Sequence, residues 1–420
     1  MLQDISGNLS GAGRCNRTDA DVRARSIAEV VAPKVKHLED LNLKTGLYLG
    51  FAATGVGVAL PGALLPLLLR RWSLGDARGG LLLFCFFLAT TTGALVSRGR
   101  MNRSIARGAL LTSCGAAWLG FASRDWGYAA IVIYGLGLGI AMTSTSLFVS
   151  RQFPDERRVE MMRLNLLWAA GACAGPWLAL GGQTLRAGVT STRPLHVLLG
   201  LAAFFAAFAL WVWLALESLA PDTPEPSEQP SAAPTRWPLT QISLALLILV
   251  FCATGIESST GGWLAAYAQR LGETAKTTIG AATAFWAGLL SSRLINSLRI
   301  STRLNERIVL PVSAGLAAVG LAILVMWPNA AASVLAAFMV GFGAGPVYPL
   351  LLAIVLRQRE TRGVFVLAGA GASALPLATG AVSGWTHSLS AGLCVPLAAA
   401  SMMTVLSSSP RVGSSVTSEG

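Results

Sequence analysis

After Lys44 the sequence is a succession of long apolar runs, each broken by a short polar or basic interval. An apolar run of roughly 18 residues or more reads as a membrane-spanning helix. Charged residues make up 12% of the chain and hydrophobic ones 53%. A soluble domain carries about 25% charged residues, so this chain lacks the polar coat that solubility needs. The fold class that follows is an all-α, polytopic membrane protein.

Twelve spans are expected, at 46–69, 78–97, 105–122, 127–149, 162–183, 194–216, 240–267, 277–297, 308–327, 331–355, 363–384 and 389–407. Ahead of them, residues 1–44 form a hydrophilic extension without a convincing core, in which Arg23 to Asp40 has the composition of a short surface helix. Residues 217–239 are rich in Pro, Ser, Glu and Ala without an apolar period, the mark of a flexible linker. This linker divides the spans into two bundles of six, 45–216 and 240–408, and a disordered tail is expected over 409–420. No secretory signal is visible, because the first apolar run, near Leu47, is too long for a signal core.

The net charge of +12 points to membrane orientation and not to nucleic acid, because the basic residues sit in short intervals between apolar runs. With the N-terminus in the cytoplasm, the cytoplasmic intervals hold 21 Lys and Arg with the linker and tail left out, and the outer ones 8. The first outer interval, RRWSLGDAR, is the exception, and its arginines are expected to snorkel to outer headgroups. The expected location is the cytoplasmic (inner) cell membrane, with both termini cytoplasmic.

The two bundles resemble each other. FAATG (51–55) matches FCATG (251–255), and GACAGP (171–176) matches GASALP (371–376), both at an offset of 200. GLGLG (135–139) matches GFGAG (341–345), and Arg151-Gln152 matches Arg357-Gln358, both at 206. Matches in order at a nearly constant offset argue for an internal duplication, and hence for two pseudo-symmetric six-helix bundles. Parallel repeats of this kind, with substrate held between them near the midplane, belong to one large class of transporters.

Four segments carry a resemblance to the major facilitator superfamily, and within it to the fucose-permease-like sugar symporter branch. RLNLLWAAGACAGP (163–176) resembles the fifth helix of that branch, GIESSTGGWLAAY (255–267) its seventh, AFWAGLLSSRL (284–294) its eighth and GFGAGPVYPLLLA (341–353) its tenth. The resemblance covers roughly residues 45–408 and implies twelve helices and alternating access. Two departures limit it. In GALVSRGRMNR, Ser97 stands where the superfamily has an aspartate, and the first and fourth spans lack the carboxylates expected of fucose permease. Fucose and its proton route therefore do not carry over.

Glu257 is the sharpest functional signal. An ionised carboxylate at the membrane centre is costly, so it should face a wet cavity or a partner, or carry a proton. Its counterpart in the first bundle is Gly57, so the acid belongs to one half only. Arg293 is the one basic residue placed inside a span. Glu257 lies about ten residues and Arg293 about sixteen from the same membrane face, a Cα depth difference of about 9 Å. Arg293 therefore either reaches Glu257 or snorkels to the cytoplasmic face. Asn165 and Trp168, at i and i+3, share one face of span five. With Trp263, Trp286 and Tyr348 they supply the amide and aromatic groups that suit sugar hydroxyls and CH faces. The Thr143–Ser146 run is a weaker candidate, because Ser and Thr often bond their own helix backbone.

GLGLG lies within an apolar helix with no preceding strand, which excludes a nucleotide loop and points to close helix packing. Gly175-Pro176 and Gly345-Pro346 are expected to bend spans five and ten. The six cysteines lack metal-ligand spacing, and those in apolar runs read as small buried hydrophobes; the three histidines are scattered. No cofactor or metal is expected. The function implied is a monomeric secondary transporter of a small polar solute, a sugar or related metabolite, coupled to protons. GACAGP also matches the core of the superfamily's antiporter signature, which keeps drug or metabolite efflux as the alternative. A membrane-embedded enzyme or a transport-inactive sensor stands further off.

Overall fold

The computed structural model describes residues 15–97, 100–184, 195–216, 243–272, 275–297, 306–358 and 363–408. The expected linker 217–239 and tail 409–420 lie outside them. The chain divides into two units, Met1–Leu47 and Tyr48–Gly420. The first unit contains helix from Cys15 onward, and the second holds the bundle described below.

Among the described residues every regular element is a helix. They form α1 (Cys15–Arg71), α2 (Asp76–Val96), α3 (Met101–Phe121), α4 (Arg124–Gln152), α5 (Arg157–Thr184) and α6 (His196–Trp211, continued by a π turn Val212–Leu216). The second half holds α7 (Leu244–Arg270), α8 (Ala275–Ser297), α9 (Glu306–Met326), α10 (Ala330–Gln358) and α11 (Gly363–Thr386). The last, α12 (Leu389–Ser407), is broken at Leu393 into Leu389–Gly392 and Cys394–Ser407. Nine of the described helices are long and apolar enough to cross a membrane, and α3, α5 and α8 fall outside that group. These three carry charged residues at their ends or within, such as Arg103, Glu160 and Arg293. The observed helices also outrun the expected spans. α3 begins at Met101 and α5 at Arg157, because a helix continues into the aqueous interface where its arginines are solvated.

The duplication is visible in the helix crossings. Little hydrophobic force drives helices together in lipid, so small residues that let backbones approach take over. On α1 and α5, Gly55 meets the Trp168 carbonyl and Gly171 meets the Ala52 carbonyl. On α7 and α11, Gly255 meets the Gly371 carbonyl and the Leu375 side chain, and Gly371 meets the Phe251 carbonyl. The same logic governs the two glycine-rich motifs. Gly135 and Gly139 of α4 press on α2 at the Phe86 and Thr90 carbonyls, while Gly137 presses on α3 at Thr112. Gly341 and Gly345 of α10 press on α8, and Gly343 presses on α9 at the Ser313 carbonyl. A Cβ at most of these positions would run into backbone, which is why packing claims the motifs. Pro176 and Pro346 lie inside helices that continue through them.

The halves meet along α2–α11 and α5–α8. These pairs exchange under the duplication, since α2 corresponds to α8 and α5 to α11. Of the cysteines expected to be buried, Cys252 is, Cys85 and Cys173 are half-buried, and Cys114 and Cys394 are exposed. Those two sit on outward helix faces, where an apolar thiol suits lipid as well as it suits a core.

Candidate functional site

Between the halves lies a cavity of about 690 Å³, lined from both sides by α1, α2, α4 and α5 and by α7, α8, α10 and α11. It runs from Gly62 and Gly262 to Leu95, Asn296 and Phe365, which stand near the ends of their helices. It therefore reaches the end of the bundle at which α2 stops and α11 starts.

The opposite end is closed. Gly62 of α1 packs on the Gly261 carbonyl of α7, and Gly80 of α2 packs on the Pro376 and Leu377 carbonyls of α11. Asp76 at the start of α2 pairs with Arg270 at the end of α7 and accepts a hydrogen bond from Ser383 of α11 at 2.5 Å. Arg71, expected to snorkel, instead donates to the Gly120 carbonyl at 3.4 Å, and Trp72 Nε1 donates to the Ala122 carbonyl at 3.1 Å. These contacts tie the α1–α2 turn to the end of α3.

Six of the seven candidate residues line the cavity: Glu257, Asn165, Arg293, Trp168, Trp286 and Tyr348. Arg293 Nη2 stands 3.5 Å from Glu257 Oε2, with side chains 14% and 18% exposed. Arginine length closes the expected depth difference, and the side chain turns inward where snorkelling would have sent it to the face. The Arg293 guanidinium lies over the Trp168 ring, Cζ 5.2 Å from its centroid, and Trp286 meets Trp168 edge-on at 5.9 Å. A cation on an indole face is attracted to the ring quadrupole, more strongly where water is excluded. Asn165 Nδ2 donates to the Met161 carbonyl at 3.0 Å, one turn back on α5, and the residue lines the cavity.

Trp263 is the exception and corrects the expectation. It is fully buried, donates from Nε1 to the Pro376 carbonyl at 2.9 Å, and packs on Gly79 and Gly380. A tryptophan on α7 looks the same in sequence whether it faces the cavity or the α2–α11 seam. Here the facing glycines admit it to the seam. Of the Thr143–Ser146 run, Ser144 pairs with Ser97 at 2.6 Å, so the residue in the place of the absent aspartate bonds α4 by a hydroxyl.

Sequence reasoning missed Thr254, which lines the cavity and donates to the Ala368 carbonyl of α11 at 2.7 Å. It missed Asn296, one turn beyond Arg293 on α8. It also missed the Asp76–Arg270–Ser383 cluster, for which the signal was a single acid opening a membrane run. The polar groups are few, and the rest of the wall is apolar, with Phe51, Phe87, Met142 and Phe365 prominent.

Two duplicated helical bundles around a central cavity, closed at one end and reached from the other, define a polytopic membrane transporter. The sequence pattern of the Major Facilitator Superfamily matches residues 47–381. The chain belongs to that superfamily and is a secondary transporter. This is a family of transporters and not of enzymes. Among solved structures, the chain is similar to an inward-facing, unoccupied bacterial homologue of the human lysosomal transporter Spinster, at 13% identity and a TM-score of 0.66 over 88% of this chain and 97% of that one. It is similar to the E. coli fucose:proton symporter at 16% identity and 0.58, over 87% and 97%. A nucleoside transporter matches at 12% identity and 0.66, over 87% and 98%. At such identities the likeness shows the fold alone. Among curated proteins, none matches this sequence.

Proposed function

We propose that this chain carries a small polar solute, a sugar or related metabolite, across the inner cell membrane by alternating access, with proton coupling through Glu257. The observation that carries this reading is the Glu257–Arg293 pair inside the cavity between the halves. A carboxylate held by one cation at 3.5 Å, in a half-open cavity, can exchange that partner for a proton when the cavity fills. With both termini in the cytoplasm, the closed end is external and the cavity faces inward. The solved fucose:proton symporter shares the fold, and the four resembling segments add support for the fucose-permease-like branch. The chain is read as a monomer, with the bundles 45–216 and 240–408 as its two moving bodies.

The test is reconstitution of Glu257→Gln in liposomes. The variant should lose accumulation driven by a pH gradient and keep exchange of internal for external solute. Unimpaired pH-driven accumulation by Glu257→Gln would remove the reading. A second reading, proton-driven efflux of a more hydrophobic compound, is favoured by the apolar stretch of the wall and by the GACAGP motif on α5. Export of dyes from cells, absent in a strain without the protein, would select it.

A further inference from the structure

Among the residues lining the cavity, the titratable ones are Glu257, Arg293 and Tyr348. Glu257 and Arg293 neutralise each other, yet their contact of 3.5 Å is at the outer limit of a hydrogen bond. A guanidinium has five N–H donors and no acceptor, in a fork that fits a carboxylate with two parallel bonds. Here Nη2 alone meets Glu257, and the buried Nε has no acceptor among the described residues. Trp168, on which the guanidinium rests, is 7% exposed, and its Nε1 is a second buried donor without an acceptor. This wall of the cavity is therefore rich in unmet donors. A buried donor without a partner costs free energy that a ligand bearing acceptor oxygens can recover.

Charge narrows the ligand further. A transporter passes through occluded states in which its buried charges cannot be solvated by bulk water, and an unpaired charge there is costly. Take Glu257 as ionised in the empty cavity: Arg293 at 3.5 Å is then its counter-ion and the cavity is neutral. Suppose Glu257 takes a proton while the solute is uncharged. Arg293 is then left as a lone cation. Suppose instead that the solute brings a carboxylate. That group takes Arg293, Glu257 takes the proton, and the cavity is neutral again.

We infer that the solute is an organic acid whose carboxylate displaces Glu257 from Arg293, with the rest of the molecule against the apolar wall of Phe87, Trp286 and Phe365. The inference rests on Glu257 as the proton site. On binding, the Glu257–Arg293 contact breaks and a paired contact between the solute carboxylate and the Arg293 fork forms. One proton passes from water to the Glu257 carboxylate. One proton thus moves with one monoanion, and no net charge crosses the membrane.

The experiment uses purified full-length protein in weakly buffered detergent solution with a pH-indicator dye. The probes are D-glucuronate and phenylacetate, each beside its uncharged amide. The expected result is thermal stabilisation by at least one acid and by neither amide, with about one proton taken up per acid bound. Arg293→Gln should weaken acid binding by more than about thirtyfold. Arg293→Lys keeps the charge but loses the fork, and should weaken it by about tenfold. Glu257→Gln should bind the acid with no proton uptake. Stabilisation by an amide and by neither acid, or by none of the four, overturns the carboxylate assignment and leaves proton coupling through Glu257 to its own test. Acid binding with undiminished proton uptake in Glu257→Gln overturns Glu257 as the proton site.

Discussion

Arg270, the last residue of α7, forks onto the carboxylate of Asp76, the first residue of α2, and so ties the second half to the first. The Nη1–Oδ2 contact is 2.7 Å, and Ser383 of α11 donates to the same carboxylate at 2.5 Å. Three helices from two halves converge on one acid at the end opposite the cavity mouth. The cluster stands where the halves must part for the closed end to open.

Asp76→Asn should therefore favour opening at that end. Arg270 is 42% exposed and Asp76 10%, so water screens the pair and its worth is about 1 kcal/mol, a shift of about fivefold in populations. A cysteine placed at Ala77, beside Gly384 in the α2–α11 seam, gives the readout. Its labelling by a membrane-impermeant thiol reagent should be about fivefold faster in the Asp76→Asn background. An unchanged rate would mean that the glycine packing alone holds this end shut.

The Glu257–Arg293 pair should show its coupling in stability. Arg293→Gln leaves a half-buried carboxylate without its cation, and Glu257→Gln leaves the cation on Trp168 alone. Each single change is expected to cost about 2 kcal/mol, and the double change less than the two together. Thermal melts in detergent of the four proteins, at fixed pH and lipid, complete the cycle. Additive costs would show that the 3.5 Å contact carries no energy.

Trp263 should behave as a packing residue. Trp263→Phe removes the Nε1 bond to the Pro376 carbonyl and leaves space against Gly79 and Gly380. A loss of about 2 kcal/mol in stability is expected, with little change in apparent solute affinity. Trp286→Phe, on the cavity wall, should show the reverse pattern in uptake assays. A large rise in KM from Trp263→Phe at unchanged stability would return that residue to the site.

The architecture was legible because membrane helices announce themselves by length and apolarity, and because a duplication repeats its packing residues. FAATG and FCATG stood out in the sequence as a repeat, and their glycines, Gly55 and Gly255, prove to sit at the α1–α5 and α7–α11 crossings, where only small residues fit. The site was legible in part for a related reason. A charge within an apolar run, such as Glu257 or Arg293, must answer to something nearby. What sequence could not supply was helix rotation. Trp263 and Trp286 differ only in which way their helices turn them, and Thr254 gave no sign that its hydroxyl reaches across to the Ala368 carbonyl. The Asp76 cluster was hidden for another reason. Asp76 and Arg270 lie in different intervals and Ser383 inside a span, and an acid at the first turn of a helix is ordinary.

The paired glycine crossings give the most direct test of the duplication as a physical fact. Gly139 of α4 meets the Thr90 carbonyl of α2, and its counterpart by the 206 offset, Gly345 of α10, meets Ser292 and the Leu289 carbonyl of α8. The nearest partner is backbone in the first case and a hydroxyl side chain in the second. Alanine at Gly139 must push two helices apart, which costs about 1–3 kcal/mol. Alanine at Gly345 can be relieved by rotation of Ser292, so it should cost less. Gly341, which meets the Phe285 carbonyl, should match Gly139 instead. Gly200 of α6 has open space where its Cβ would be, so Gly200→Ala should be neutral or stabilising by up to about 1 kcal/mol from helix propensity. Melting temperatures of the four single variants in one detergent check the order. A Gly200→Ala loss as large as that of Gly139→Ala would mean that the crossings are not what hold the halves in shape.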